Sequence, residues 1–477
     1  MKKSRRLQAG LLGAALAALL TLGGCGQTEP VAADEPLLPK NDGRPAKLTV
    51  AIESPEDMAL INTKGSLERV MKEIIAKYQA DFPDTEIELV YDTRGEKIAA
   101  GGGNAPDIEL FTGQDPYYKH KEQLPRNTDW LLDLTPYEEA WADEGTVSNP
   151  ASLIMRFMGG DNIYALPFSY DQIMLYYRWD WFHEYNLDYM DNEEEKASVN
   201  VWNRFLVAGE KLGDKGRLAI DKTVKPYLFD ALLWSWVGQR RVADAAFGYY
   251  QPDGSTIFTL ESAQNAAETY EQVLKLDMGA EDPIGAFIDG EAGMYLGTGM
   301  DMVRLSKEMP GKVNEDWYAV GLPKGIGGKT APLLGWSAWG VNKDSPEPEK
   351  AVHFLWYMTN ADNNTHMYME LKDYGVKPLY REIEAYEPSL LEGGWYGETD
   401  LLNTPSYRYA SAPVVFEEST GVNNPVFSSL LSGLESGDVT AGEMLEGLDK
   451  EYARLLEEYT AGGGKLPWQT DKTEGNP

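Results

Sequence analysis

An apolar run, Leu48-Thr49-Val50-Ala51-Ile52, followed by a helical repeat and two more strand-like runs, limits how this chain can fold. Leu48 to Ile52 suits a strand buried on both faces. After it Leu67, Val70, Met71, Ile74, Ile75, Tyr78 and Phe82 recur at helical spacing, with Ser66 expected as the cap and Pro83-Asp84 as the stop. Glu86 to Tyr91 alternates like a strand, and Pro106 to Phe111 reads as another. Strand, helix and strand in this order predict βαβ units and a wound α/β sheet.

Further along, Gln172 to Tyr177 is a strand candidate, and helices are expected over 201–212 and 260–276. Met294-Tyr295-Leu296 and Trp339-Gly340-Val341 read as short strands. A helix opened by Ser345 is expected over 346–358. Thr440 and Glu443 form a capping box for a last helix carrying Met444, Leu445, Leu448, Tyr452, Leu455 and Leu456. Past Gly462 the chain is polar and Gly-rich, which predicts a frayed tail over 461–477.

At the other end Lys2, Lys3, Arg5 and Arg6 precede an apolar run from Leu11 to Leu22, too short to cross a ~30 Å hydrocarbon core. This is the layout of a secretory signal. Leu22-Gly23-Gly24-Cys25 resembles a bacterial lipobox, which implies removal of residues 1–24 and lipidation of Cys25. Residues 25–45, rich in Ala, Pro and small polar side chains, are expected to form a flexible tether. Cys25 is the only cysteine, so a lipidated chain has no disulfide within the monomer, and an apolar core must supply its stability. Losing the four cations of the signal takes the net charge from −33 to −37. So acidic a surface repels nucleic acid and anionic headgroups, leaving the lipid as the expected contact with the membrane.

Catalytic and metal motifs fail on inspection. His120, His183, His353 and His366 have no metal-ligand spacing. Gly335-Trp336-Ser337-Ala338-Trp339-Gly340 has one residue too many for a nucleophile elbow, and Pro323 stands where a phosphate loop ending at Gly328-Lys329-Thr330 needs its first Gly. Asp188 to Glu195 lacks the central Gly and ligand alternation of a calcium loop. No cofactor, metal or catalytic residue is expected.

Six segments in order resemble the extracellular solute-binding proteins of bacterial ABC importers, in their sugar-binding branch. They are the opening strand and helix ending at Phe82-Pro83-Asp84; Asn104-Ala105-Pro106-Asp107-Ile108; Leu132-Asp133-Leu134-Thr135-Pro136-Tyr137; Ile163 to Pro167 with Leu175 to Asp180; Ala286 to Met294; and Gly335 to Val341. The resemblance implies an α/β, two-lobed periplasmic-binding-protein-like fold of class II type, with hinge crossovers and a ligand cleft. By analogy the N-terminal lobe takes residues 46–170 and 296–335 and the C-terminal lobe 171–295 and 336–460, with crossovers near Tyr170, Tyr295 and Trp336. It implies a monomer on the outer face of the cell membrane that closes over its solute and delivers it to the importer's permease subunits.

A sugar has an apolar face that stacks on aromatic rings and a hydroxyl rim that needs fixed polar partners. Such pairs fall at expected strand ends: Gln114 and Asp115 after Phe111, Tyr170 and Asp171 before the hinge strand, Glu53 after the first strand, and Trp336 at the third crossover. Asp171 matches a ligand-contacting acid of the family. Trp234 and Trp236 fall in a segment that lines the second lobe's cleft in relatives, and on one helix they cannot both face it. Met300 stands where relatives often carry a stacking Trp, so Asp301 is expected to offer a carboxylate instead; Asn424 falls where some relatives place a second aromatic platform. The ligand expected is a carbohydrate, an oligosaccharide or glycoside. Two other readings stay open: a ligand sensor feeding a membrane kinase, and a surface glycoside-active enzyme with carboxylates ~5–10 Å apart.

Overall fold

The structure, a computed structural model, describes residues 39–52, 65–91, 105–112, 130–138, 162–185, 187, 201–213, 217–237, 249–251, 253–313, 315–323, 325, 333–371 and 424–462. In chain order the elements are β1 (Ala46–Ile52), α1 (Ser66–Asp81), β2 (Thr85–Tyr91), β3 (Ile108–Thr112), β4 (Leu166–Arg178), α2 (Trp179–Glu184), α3 (Trp202–Leu212) and β5 (Leu218–Ile220). There follow α4 (Lys225–Val237), α5 (Glu261–Leu276), α6 (Pro283–Ile288), β6 (Met294–Thr298), α7 (Met302–Glu308), β7 (Trp317–Gly321) and β8 (Leu333–Val341). The last are α8 (Pro348–Met358), α9 (Ala361–Leu371), α10 (Pro425–Ser436) and α11 (Ala441–Ala461).

One continuous sheet runs β2-β1-β3-β8-β4-β6-β5, with β7 also paired to β4. β1, β2 and β3 are parallel, as the βαβ reading expects, and β8 lies antiparallel between β3 and β4. β4 is the key strand. Its first half pairs with β8, and its second half with β6 on one side and β7 on the other, both antiparallel. The strand expected over 172–177 is therefore the second half of a strand of 13 residues that passes from one body of the molecule into another.

Three core clusters divide between those bodies, one in the first and two, on opposite faces of the sheet, in the second. In the first, Leu48, Val50 and Ile52 of β1 pack with Leu67, Val70, Met71 and Ile74 of α1, Phe354 and Leu355 of α8, and Phe168 and Trp339. Each buried aliphatic side chain there contributes about 1.5–3 kcal/mol. In the second, alternate residues of β4 feed opposite faces of the sheet, as a pleated strand requires. Ile173, Leu175 and Tyr177 meet α3, α4, α5, α10 and α11, whereas Met174 and Tyr176 meet α6, α7 and Trp317. α4 is buried because it is apolar nearly all round: Leu228, Phe229, Leu232 and Leu233 are fully covered.

These cores correct the expected partition of the chain. Leu296, Met302, Leu305, Trp317 and Val320 pack in the second lobe, not the first. Ala338, Val341, Val352 and Leu355 pack in the first lobe, not the second. The cause is topological: β6 and β7 both join the second-lobe half of β4, so the chain returns to the first lobe only along β8. Phe427, Met444 and Tyr452 of α10 and α11 pack in the second lobe's core.

Two caps also differ. Gly65, with φ of 72°, takes the position before α1, and Ser66 is the first helical residue. Ser345 does not open α8; its hydroxyl donates to Oδ1 of Asp107 at 2.5 Å and accepts from the amide of Glu347 at 3.2 Å, and the helix begins at Pro348. The capping box of Thr440 and Glu443 forms as expected.

At the base of the first lobe Lys350 is held by Oδ1 of Asn41 (3.2 Å), Oδ1 of Asp42 (3.2 Å), Oδ2 of Asp84 (3.0 Å) and the carbonyl of Arg44. Burial works to lower the pKa of this ammonium, and the hydrogen bonds to Asp84 and Asp42 outweigh it, so the net shift is upward.

Candidate functional site

The strand directions place the site. β1, β2 and β3 run in parallel and end at Ile52, Tyr91 and Thr112, and Thr112 lies level with Ser337 of β8. In the second lobe β5 and β6 are parallel, and β6 ends at Thr298, level with Ile173 of β4. β7 ends at Gly321, level with Met174. Both lobes therefore turn the carboxyl ends of their strands toward the crossover. In open α/β sheets ligands sit outside those ends.

Between the two sets of ends lies a two-stranded ribbon, Tyr170–Gln172 of β4 against Leu333–Trp336 of β8. Three residues of strand span ~10 Å. Among the described residues no third strand pairs with this stretch. The ribbon sits between two bulges: β4 has one residue more than β8 at Phe168, and β8 has one more at Leu334. Just ahead of it, the buried hydroxyls of Ser169 and Ser337 share a hydrogen bond of 2.7 Å.

The ribbon brings together three of the expected site residues. Tyr170 lies directly opposite Trp336 in the ladder, and Asp171 opposite Gly335. Glu53 is the residue after β1, and Gln114 and Asp115 follow closely on β3; these three, like Cys25, lie outside the described residues. Trp234 and Trp236 occupy the last turn of α4. Trp236 is half-buried against the second core, and its buried Nε1 meets no acceptor among the described residues. The segment after β7 packs on that turn: a Cβ on Gly325 would lie 2.3 Å from the carbonyl oxygen of Ser235, so only glycine permits the approach.

Asp301 has a different job from the one expected of it. Its Oδ2 accepts from the amide of Thr298 (2.6 Å), the hydroxyl of Tyr295 (2.9 Å) and the hydroxyl of Thr298 (3.3 Å), closing the turn that follows β6. Burial pushes its carboxyl up, while the Thr298 and Tyr295 hydrogen bonds pull the other way. It shapes the turn on which Met300 sits. Asn424 caps α10, accepting from the amides of Val426 (2.8 Å) and Phe427 (3.0 Å).

Two stretches at the strand ends escaped the sequence reading. Asp221 directly follows β5, and its Oδ1 accepts from the amide and hydroxyl of Thr223 at 2.7 and 2.5 Å. β7 and the segment running from Gly321 to Gly325 were also missed. The signal for β7 was present as period-two burial, with Trp317 and Ala319 in one core and Val320 in the other.

The diagnostic motifs mostly stitch the first lobe. Oδ2 of Asp107 accepts from the amide (2.7 Å) and hydroxyl (2.9 Å) of Thr49. Asp133 accepts from Thr135 and from Asn162, and Thr135 in turn accepts from the amide of Ile163. Among the described residues no group of His, Cys, Asp or Glu could hold a metal ion, and no helix is long and apolar enough to cross a membrane.

The fold matches solved structures across most of its length. The cyclic alpha-maltosyl-1,6-maltose binding protein from Arthrobacter globiformis is 16% identical, with a TM-score of 0.60 over 87% of this chain and 100% of its own. The sugar-binding protein MalE from Xanthomonas citri is 14% identical, with a TM-score of 0.63 over 88% and 99%. Maltose-bound MalE3 of T. maritima is 18% identical, with a TM-score of 0.57 over 86% and 99%. These likenesses give an α/β, two-lobed periplasmic-binding-protein fold. No curated protein matches the sequence. The family model for the bacterial extracellular solute-binding protein matches residues 64–365, and the chain belongs to that family, whose members bind solutes rather than transform them.

Proposed function

We propose that this chain is a lipid-anchored capture protein on the outer face of the membrane, which closes over a carbohydrate and delivers it to an ABC import permease. The observation that carries this reading is the pair of facing strand-end sets joined by the ribbon, with Tyr170 and Asp171 in register with Trp336 and Gly335. An aromatic–acid–aromatic group at a crossover suits a sugar's apolar face and hydroxyl rim. Trp236 on the second lobe, and Glu53, Gln114 and Asp115 after the first-lobe strands, would complete the contacts. Solved neighbours point to the same class, since maltose, acarbose, tagatose and cycloalternan are among the ligands named for them.

The test has two arms. Cys25→Ser should move the chain from the membrane to the soluble fraction; retention on the membrane would remove the lipid from the account. The soluble chain is then screened by thermal shift against mono- and oligosaccharides. A ligand at 100 times its Kd adds about 2.7 kcal/mol. One glycan class should raise Tm by several degrees, and Asp171→Ala or Trp336→Ala should abolish the rise. No shift with any sugar would overturn carbohydrate capture.

A further inference from the structure

The Phe168 bulge is the root of the ribbon, and its backbone is held by a helix rather than by the sheet. A bulge leaves its extra residue outside the ladder, so the buried carbonyl of Phe168 needs another donor. The hydroxyl of Tyr368, a fully buried residue of α9, donates to that carbonyl at 2.5 Å. The Tyr368 ring also lies stacked with the Phe168 ring, 6.2 Å between centroids at 18°, and Phe168 stands edge-on to Trp339 at 5.8 Å. The bulge is thus clamped between α9 and β8, and the Ser169–Ser337 hydrogen bond follows one residue later. Beyond it, among the described strands, β4 and β8 pair with each other alone until Ile173 enters the second-lobe sheet.

We propose that Tyr368 is the hinge-positioning residue of this protein: its hydrogen bond to the Phe168 carbonyl sets the direction in which the ribbon leaves the first lobe, and so sets the inter-lobe angle from outside the ligand cleft. The proposal deepens the capture reading, because closure bends this ribbon, yet the inter-lobe geometry can be read without any ligand. A residue that biases open and closed forms changes apparent affinity without touching the solute.

Pulsed electron–electron resonance supplies the test. In the full chain carrying Cys25→Ser, introduced cysteines are the only ones, and the exposed positions Lys72 on α1 and Lys275 on α5 take one spin label each. Without ligand, Tyr368→Phe should displace or widen the inter-label distance distribution, on the order of 3 Å. Tyr250→Phe is the control for general loosening: it deletes a comparable buried bond, Tyr250 hydroxyl to Tyr452 carbonyl at 2.7 Å, wholly within the second lobe. It should leave the distribution superimposable on the parent. A parental distribution in Tyr368→Phe, or equal widening in both variants, overturns the proposal. Should Tyr368→Phe fail to fold, Phe168→Leu keeps the hydrogen bond to the backbone carbonyl and removes only the ring contact; it should leave the distribution parental, and a widened one would give the control to ring packing and overturn the proposal. If a sugar binds the parent and Tyr368→Phe moves the distances but not the affinity, the hinge does not govern capture, and the proposal fails there too.

Discussion

At the base of the first lobe, a lysine in the first turn of α8, its side chain 3% exposed, is gripped by four oxygens from residues 41–44 and Asp84. At the head of the ribbon, two serine hydroxyls meet between β4 and β8, at the last level where β3 still flanks β8. Both places bury polar groups, and both satisfy them. What differs is how many independent elements converge. The base joins the start of β1, the start of β2, the end of α1 and the first turn of α8, so no one of them can move without breaking bonds to the others. Among the described residues the ribbon between Ser169 and Ile173 is paired through β4 and β8 alone. Rigidity therefore sits where segments converge, and bending sits where the fewest elements constrain the backbone.

The largest expected effect comes from breaking the base. Lys350→Met removes the ammonium: Asn41, Asp42 and Asp84 keep their other donors in Gly43, Arg44 and Thr85, but the Asp84 and Asp42 carboxylates lose the buried cation that faces them. Removing one partner of a fully buried pair costs about 3–5 kcal/mol; here the carboxylates of Asp84 and Asp42 are 20% and 35% exposed, which lowers the expectation to about 2–3 kcal/mol. Denaturant unfolding should show that loss in the midpoint with an unchanged slope. Sugar affinity should stay at the parental value, since the clamp lies at the opposite ends of β1 and β2 from the cleft. A variant as stable as the parent would show that the convergence at the base is ornamental.

The same contrast explains what could be read from the residues alone. β1, β2, β3, α3, α5 and the capping box of α11 are local objects, made legible by periodicity and cap chemistry over a few neighbouring positions. The two-lobed fold and the family were legible from ordered motifs. Lobe membership was not, because Leu296, Trp317 and Val352 carry no local mark of the sheet they join; that depends on β4 accepting β6 and β7 on its far half. The register of Tyr170 with Trp336 was equally invisible, although both residues were singled out separately. Asp301 shows a different limit. It was read as offering a carboxylate to a ligand, and its Oδ2 is taken by the amide of Thr298 and the hydroxyl of Tyr295.

A smaller effect should come from the ribbon's own polar pair. Ser169→Ala leaves the buried hydroxyl of Ser337 without its partner, and Ser337→Ala does the converse; each should cost about 1 kcal/mol. The double variant removes both groups and should recover much of the loss, giving a coupling energy in a double-mutant cycle. Additive losses would mean that the two hydroxyls act independently. The comparison sharpens if the double variant, though nearly as stable as the parent, shows faster amide exchange at 169–172 than Lys350→Met does.

The smallest effect is a pH dependence at the base. His353 is 6% exposed, shares a 2.8 Å hydrogen bond with the Tyr78 hydroxyl, and stands edge-on to Phe82 at 4.8 Å. Burial lowers its pKa from the ordinary 6.5, with Asp84 opposing that shift and Lys350 adding to it. A histidine that resists protonation when folded binds fewer protons than the unfolded chain does in the interval between its two pKa values. Its neutral form therefore supports the fold fully above about pH 6.5, and the support is lost as pH falls from there toward the lowered folded value. His353→Gln lacks this titration. The stability of the parent relative to the variant should be flat above about pH 7 and should decline below about pH 6.5. Carboxylates elsewhere titrate in both proteins and cancel in the difference, so a difference that stayed constant down to about pH 5 would mean that the ring beside Tyr78 accepts a proton as readily as one in water.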